Sequence, residues 1–285
     1  MLWFSLSLIC AFTLSTADAL TKYFFSHLSL DEVVLVRFLS SLPFLVPPLL
    51  FVRWPHLGSD FWLTLAVLLP LEVVAFFLYM EAIKVSPLSL TIPFLAFTPL
   101  FMVVTGFLVL GESLSLKGIL GICFVVAGAY LIHFEGGSLV QPFKSMAKEK
   151  GSLLMLAVSF IYSITSVLGK RCVLLSDPVF FGLFYYPLVS LVGSLFIVVR
   201  RKGINWRRVV SFKSAAVGLF QAVSILTHMI AISLVEAAYM IAVKRTTLLF
   251  SVIYGKILFK EERFPFRLAG SVLMLAGCVI LYLSR

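Results

Sequence analysis

The sequence predicts an all-α polytopic membrane protein with ten transmembrane helices, arranged as two inverted five-helix repeats. Three observations carry that prediction. The 285 residues are 61% hydrophobic and only 13% charged, with a mean hydropathy of +1.09. A soluble domain averages roughly 45–50% apolar and about 25% charged, and a globule of this size still needs a polar skin. The apolar residues gather into ten runs, each close to the ~20 residues that cross a bilayer as a helix. Finally, the chain aligns with itself at a shift of 149 residues.

The ten runs lie at about 2–24, 33–52, 61–81, 88–110, 116–134, 151–170, 179–199, 214–234, 237–258 and 266–284. Most gaps are short. The longest, 135–150 and 200–213, are polar and basic, and no segment is left for a soluble domain. This composition excludes a secreted disulfide scaffold, a disordered regulator and an ordinary cytosolic enzyme. The formal charge of +10 does not indicate nucleic-acid binding, because many basic residues sit in gaps between apolar runs, as loops beside membrane spans do. Cys10, Cys123, Cys172 and Cys278 have no C-x-x-C spacing and read as small packing residues. Residues 1–19 end in Ala17-Asp18-Ala19, which resembles a cleavage site. No Lys or Arg precedes the run, however, and it has a later counterpart, so the segment reads as a span rather than a removed leader.

The repeat organises the spans. At the 149-residue shift Gly106 meets Gly255, Glu112 meets Glu261, Gly121 meets Gly270, and Ala127-Gly128 meets Ala276-Gly277. Thr98, Leu100, Phe101 and Val103 meet Thr247, Leu249, Phe250 and Val252, while Lys22 and Lys170 end the first span of each half in comparable places. Residues 1–134 and 151–285 are thus expected to form the repeats, joined by 135–150. An odd number of spans per repeat forces the second copy to enter the membrane upside down. Inverted repeats recur in secondary transporters, whose substrate site lies near the midplane between the halves.

Leu110-Gly111-Glu112 followed by Gly121 and Gly128, and Lys244-Arg245-Thr246-Thr247 running to Gly255, Glu261, Gly270 and Gly277, carry a resemblance over nearly the whole chain. With Thr21-Lys22 and Gly169-Lys170 they are similar to the drug/metabolite transporter (DMT) superfamily, EamA branch. The resemblance implies ten helices in two inverted repeats and export or uptake of small metabolites through a central cavity lined by the fourth and ninth helices.

Ionisable groups inside a membrane are costly, so each is a functional candidate. Glu72 lies near the middle of the third span, and its counterpart at the 149-residue shift is Gln221, near the middle of the eighth. A matched polar pair suits a substrate or proton site, with Glu72 taking up a proton during a cycle. Tying helices together is the competing reading. Lys244 and Arg245 sit inside the ninth span, about 100° apart on a continuous helix. One is expected to meet Glu72 or a substrate carboxylate and the other to snorkel; the alternative is that both reach lipid phosphates. Thr246, Thr247, Ser251 and Tyr254 continue the polar character of this helix.

The fourth span carries Pro87, Pro93 and Pro99 with Ser89, Thr91 and Thr98 between them. Its freed carbonyls need partners in protein or a wet cavity, so this span is expected to face the pathway, with Phe94 and Phe97 as apolar contacts; a bend for packing alone is the alternative. Asp18 and Lys22 share a helix face and read as a structural ion pair, with proton coupling as the alternative. Arg37 could instead partner Asp18 or Glu72. His228 could titrate near neutral pH or bridge helices. Glu112 and Glu261, at span ends, are expected to tie down the turn to the next helix. Gly106, Gly121, Gly128, Gly255, Gly270 and Gly277 permit close helix packing.

The sequence thus reads as an integral multi-pass protein of the bacterial plasma (inner) membrane, a monomer or homodimer. It would move a small organic metabolite, amino-acid-like or carboxylate-bearing, by alternating access, with protons as a candidate co-substrate and no cofactor, metal or nucleic acid. A lipid-linked substrate flippase is the alternative. A membrane-embedded enzyme fits less well, since no H-E-x-x-H or Walker loop occurs and the four histidines are scattered. For orientation, odd-numbered loops carry 13 Lys and Arg against 5 on the other side, which places both termini outside. The resemblance implies cytoplasmic termini, and the cluster at 200–213 drives the conflict.

Overall fold

A computed structural model describes residues 1–86, 92–132, 150–201, 203–259 and 264–284, among which there is helix and no strand. The first half comprises α1 (Leu2–Phe25), α2 (Leu30–Ser40), α3 (Leu42–Leu49), α4 (Ser59–Val85), a 3-10 turn (Ile92–Phe97), α5 (Thr98–Leu110) and α6 (Leu116–Ile132). The second comprises α7 (Lys150–Leu174), α8 (Pro178–Arg200), the short α9 (Trp206–Val209), α10 (Phe212–Leu234), α11 (Ala237–Lys244), α12 (Thr247–Phe259) and α13 (Phe264–Leu283). Among the described residues seven segments have the length and hydropathy to cross a membrane, and three apolar segments, Phe94–Leu110, Leu116–Ile132 and Ala269–Leu283, are shorter. The chain is an all-α polytopic membrane protein.

Local chemistry sets where these helices start and stop. At α2 the Glu32 carboxylate accepts from both the backbone N–H and the hydroxyl of Ser29, satisfying a donor the helix cannot. Asp177 caps α8 by accepting from the N–H groups of Val179 and Phe180, each at 2.9 Å, with Pro178 in the first turn. Ser211 and Ser214 exchange side-chain-to-backbone bonds at the start of α10. Gly111 ends α5 at φ +69°, a left-handed conformation that favours glycine.

Two spans expected to be continuous are broken. The second divides at Ser41 because Pro43 has no N–H to give the Leu39 carbonyl. Gly218 of α10 presses on that break, and a Cβ there would collide with the Ser40 carbonyl. The ninth divides between Lys244 and Thr247. There the N–H groups of Arg245, Thr246, Leu248 and Leu249 bond three residues back, while the hydroxyls of Thr246 and Thr247 take the carbonyls of Val243 and Lys244. Hydroxyl-to-carbonyl competition of this kind bends helices.

Helix partners are related by the 149-residue shift. α1 packs along α10, α4 along α7, and α6 along α13, with α5 on α7 and α12 on α1 as further contacts. Moving 149 residues turns α1 into α7, α4 into α10 and α5 into α12. It therefore exchanges the first two pairings, exchanges the last two, and leaves α6 with α13. The glycines cross in the same sense. Gly121 faces the Gly277 carbonyl and Gly128 the Gly270 carbonyl, each so closely that a Cβ would come within 2.6–3.1 Å of the opposite backbone. Gly255 is buried on α12. Gly106, expected to contact another helix, instead makes room for the Glu112 carboxylate, with Oε2 3.1 Å from where its Cβ would be.

Candidate functional site

The pairings α1–α10 and α4–α7 leave a cavity of about 480 Å³ inside the bundle. α1 contributes Asp18, α4 Glu72, and α10 both Gln221 and His228. The broken ninth span adds Lys244, Arg245 and Thr247, and the start of α5 adds Thr98. Of the residues expected at the site, Glu72, Gln221, Lys244, Arg245, Thr98, Thr247 and His228 therefore share one wall system. The break between Lys244 and Thr247 accounts for both cations lining the cavity, in place of the divergent pair expected on a continuous helix.

Their immediate partners give this lining its shape. Lys244 Nζ lies 3.3 Å from His228 Nδ1. Glu72 shares the wall with Thr165, whose hydroxyl donates to the Tyr162 carbonyl at 3.5 Å. Gln221 Nε2 donates to the Tyr186 hydroxyl at 3.1 Å, which donates onward to the Arg37 carbonyl at 3.4 Å. The Arg37 guanidinium is paired with Asp18 at 2.9 Å, so of the two acids open to it in the sequence it takes Asp18. Lys22 does not line the cavity.

Other expected residues lie elsewhere. Phe94 is buried against Ala82, Met155 and Val158 and stacks on Phe97, away from the cavity. Tyr254 joins α12 to α1 through a 2.7 Å bond to Thr16, beside a 3.1 Å contact between Ser15 and Ser251. Thr91 and Glu261 fall outside the described residues. Glu112 reaches much further than the turn it was expected to hold. Its Oε1 pairs with Lys170 of α7, its Oε2 accepts from the Ala237 N–H at 3.0 Å, and Lys170 also donates to the Val235 carbonyl. One carboxylate thus clamps the end of α5, the end of α7 and the start of α11.

The cavity also holds groups that the sequence did not assign to it. Tyr162, Tyr185 and Tyr186 line it, as do Lys170 and Ser224. Phe181 stacks on Tyr185 one turn away, with ring centroids 5.0 Å apart and planes at 10°. The i, i+4 aromatic spacing was the available signal. Among the described residues no cluster of His, Cys, Asp and Glu could hold a metal ion.

The EamA-like transporter family matches residues 1–134 and again 149–283, one match per half. The chain belongs to that family. It is an EamA-like transporter and a member of the DMT superfamily. An uncharacterized transporter of Methanothermobacter thermautotrophicus is 28% identical over 191 residues, 64% of this chain and 53% of that protein. An uncharacterized transporter of Archaeoglobus fulgidus is 22% identical over 205 residues, 72% of this chain and 69% of that one. The match spans about half the length of the first relative and about two thirds of the second. A solved crystal structure shares the fold of this EamA-like chain, with TM-score 0.76 at 16% identity over 99% of this chain and 97% of the other.

Proposed function

We propose that this transporter moves a small organic solute bearing a carboxylate, an amino-acid-like metabolite being the simplest case, by alternating access around the central cavity. The observation that carries the reading is the charge balance of the lining. Asp18 is committed to Arg37 and Lys170 to Glu112. Among the described residues, the charged lining that remains is Glu72 against Lys244 and Arg245, an excess of one positive charge, with His228 beside Lys244. In a low-dielectric interior such an excess favours a single negative charge in the cavity. The apolar part of the wall, with the Phe181–Tyr185 stack, Met229, Ile232 and Ile241, suits an organic body behind that charge.

We read residues 1–134 and 151–285 as the two repeats, joined by 135–150 and inverted relative to one another. Support comes from the exchanged helix pairings and the crossed glycines. Rocking of one half against the other would expose the cavity to each side in turn. Counterflow in proteoliposomes against a panel of carboxylates, amines and sugars tests the proposal. Carboxylates should exchange, Lys244→Ala should abolish exchange, and Glu72→Gln should alter it. Equal flux by well-folded Lys244→Ala and parent protein would remove the site assignment, and exchange confined to uncharged solutes would remove the substrate class.

A further inference from the structure

Away from the cavity, a narrow crevice of about 60 Å³ opens where the end of α8 meets α4 and the start of α2. Its floor is aromatic and apolar: Phe76, Phe77 and Met80 of α4 with Phe196 of α8. The Phe77 and Phe196 rings meet edge to face at 4.2 Å between centroids, and Phe196 is 42% exposed. Two adjacent arginines close its end. Arg201 is engaged, with its guanidinium 3.0 Å from Asp31 Oδ2 and also on the Ser29 hydroxyl. Arg200 is exposed and has no ion pair among the described residues.

The same helix shows what surrounds this crevice. Leu191, Leu195 and Val199 are exposed at helical spacing along α8 and run directly up to Arg200. In a membrane-spanning helix that stripe is bathed by acyl chains, and an arginine at its end lies at headgroup depth. Guanidinium matches phosphate in charge and in the spacing of its donors, and a basic pocket between spanning helices is a setting in which acidic lipid headgroups bind.

We infer that this crevice holds an anionic phospholipid, its phosphodiester on Arg200 and its first acyl carbons against Phe77, Met80 and Phe196. The lipid then sits beside the Arg201–Asp31 pair, which ties α8 of the second half to α2 of the first.

The test uses the full chain purified in an uncharged detergent, with phosphatidylglycerol, phosphatidylcholine of the same acyl chains, or water-soluble glycerophosphoglycerol added back. Retained lipid is counted by native mass spectrometry and the unfolding midpoint is followed. Phosphatidylglycerol should be retained and raise the midpoint, while phosphatidylcholine and the headgroup alone should do neither. Arg200→Gln should weaken retention roughly tenfold, the scale of one charge-assisted contact, Arg200→Lys should keep most of it, and Arg207→Gln should leave it unchanged. Equal retention by Arg200→Gln and parent overturns the proposal. So does an equal loss in Arg207→Gln, which would mean diffuse attraction, or an equal effect of the headgroup alone, which would mean a phosphate site. Lipid-independent cross-linking of two copies through this crevice also overturns it.

Discussion

Replacing Lys170 by Met should cost the protein about 3–5 kcal/mol. The Lys170 and Glu112 side chains are 8% and 11% exposed, and the ammonium serves both the Glu112 carboxylate and the Val235 carbonyl. Methionine fills a similar volume, so the loss is electrostatic. Among the described residues the carboxylate keeps only the Ala237 N–H as a partner, and a backbone carbonyl loses its donor. Removing one member of a buried pair typically costs about 3–5 kcal/mol, because the survivor stays desolvated without compensation. Reversible unfolding by sodium dodecyl sulfate in mixed micelles, followed by circular dichroism, gives the free energy. The paired variant separates charge from packing: adding Glu112→Gln should restore at least half the loss, since the amide oxygen can still accept from Ala237. A loss below about 1 kcal/mol in Lys170→Met, or no recovery in the double variant, would refute the clamp as an interaction that holds the two halves together.

Further outcomes follow from other contacts. Gly128→Val should destabilise by at least the 1–3 kcal/mol typical of overpacking, because its Cβ would meet the Gly270 carbonyl at 2.6 Å; the same titration measures it. Asp177→Ala should cost about 1 kcal/mol by uncapping α8, seen as a shift of the same transition. Tyr254→Phe should cost about 1 kcal/mol through the lost bond to Thr16, and a loss of several kcal/mol would mean that this contact is stronger than its geometry. Lys244→Ala should abolish carboxylate exchange in proteoliposomes while leaving the helical circular dichroism signal of the parent.

How much of this was legible in advance depended on the range of the interaction. Span positions depend on local hydropathy, and the runs at 151–170, 179–199 and 214–234 were found as Lys150–Leu174, Pro178–Arg200 and Phe212–Leu234. The glycine register was legible because Gly121 and Gly128 meet Gly270 and Gly277 at the 149-residue shift within one chain. The break at Lys244–Thr247 was not, because threonine hydroxyls compete with a helix ladder only where the surroundings let them, and the hydropathy of 237–258 is that of a continuous span. Glu112 shows the same limit. Its partners lie 58 and 125 residues away, so its position beside a turn suggested a local task. Tyr162, Tyr185 and Tyr186 were passed over because a tyrosine in a span is ordinary until the fold shows that three of them face one space.

The crossed glycines of α6 and α13 have a mechanical consequence. Backbone rests on backbone at two places 7 residues apart on each helix, so neither helix can slide along the other or roll without driving a carbonyl into a main chain. In the alternating access proposed above, that seam would serve as a fulcrum: motion of one half against the other would pivot about it, and the displacement would grow with distance toward α1, α4, α7 and α10, which carry Asp18, Glu72, Gln221 and His228.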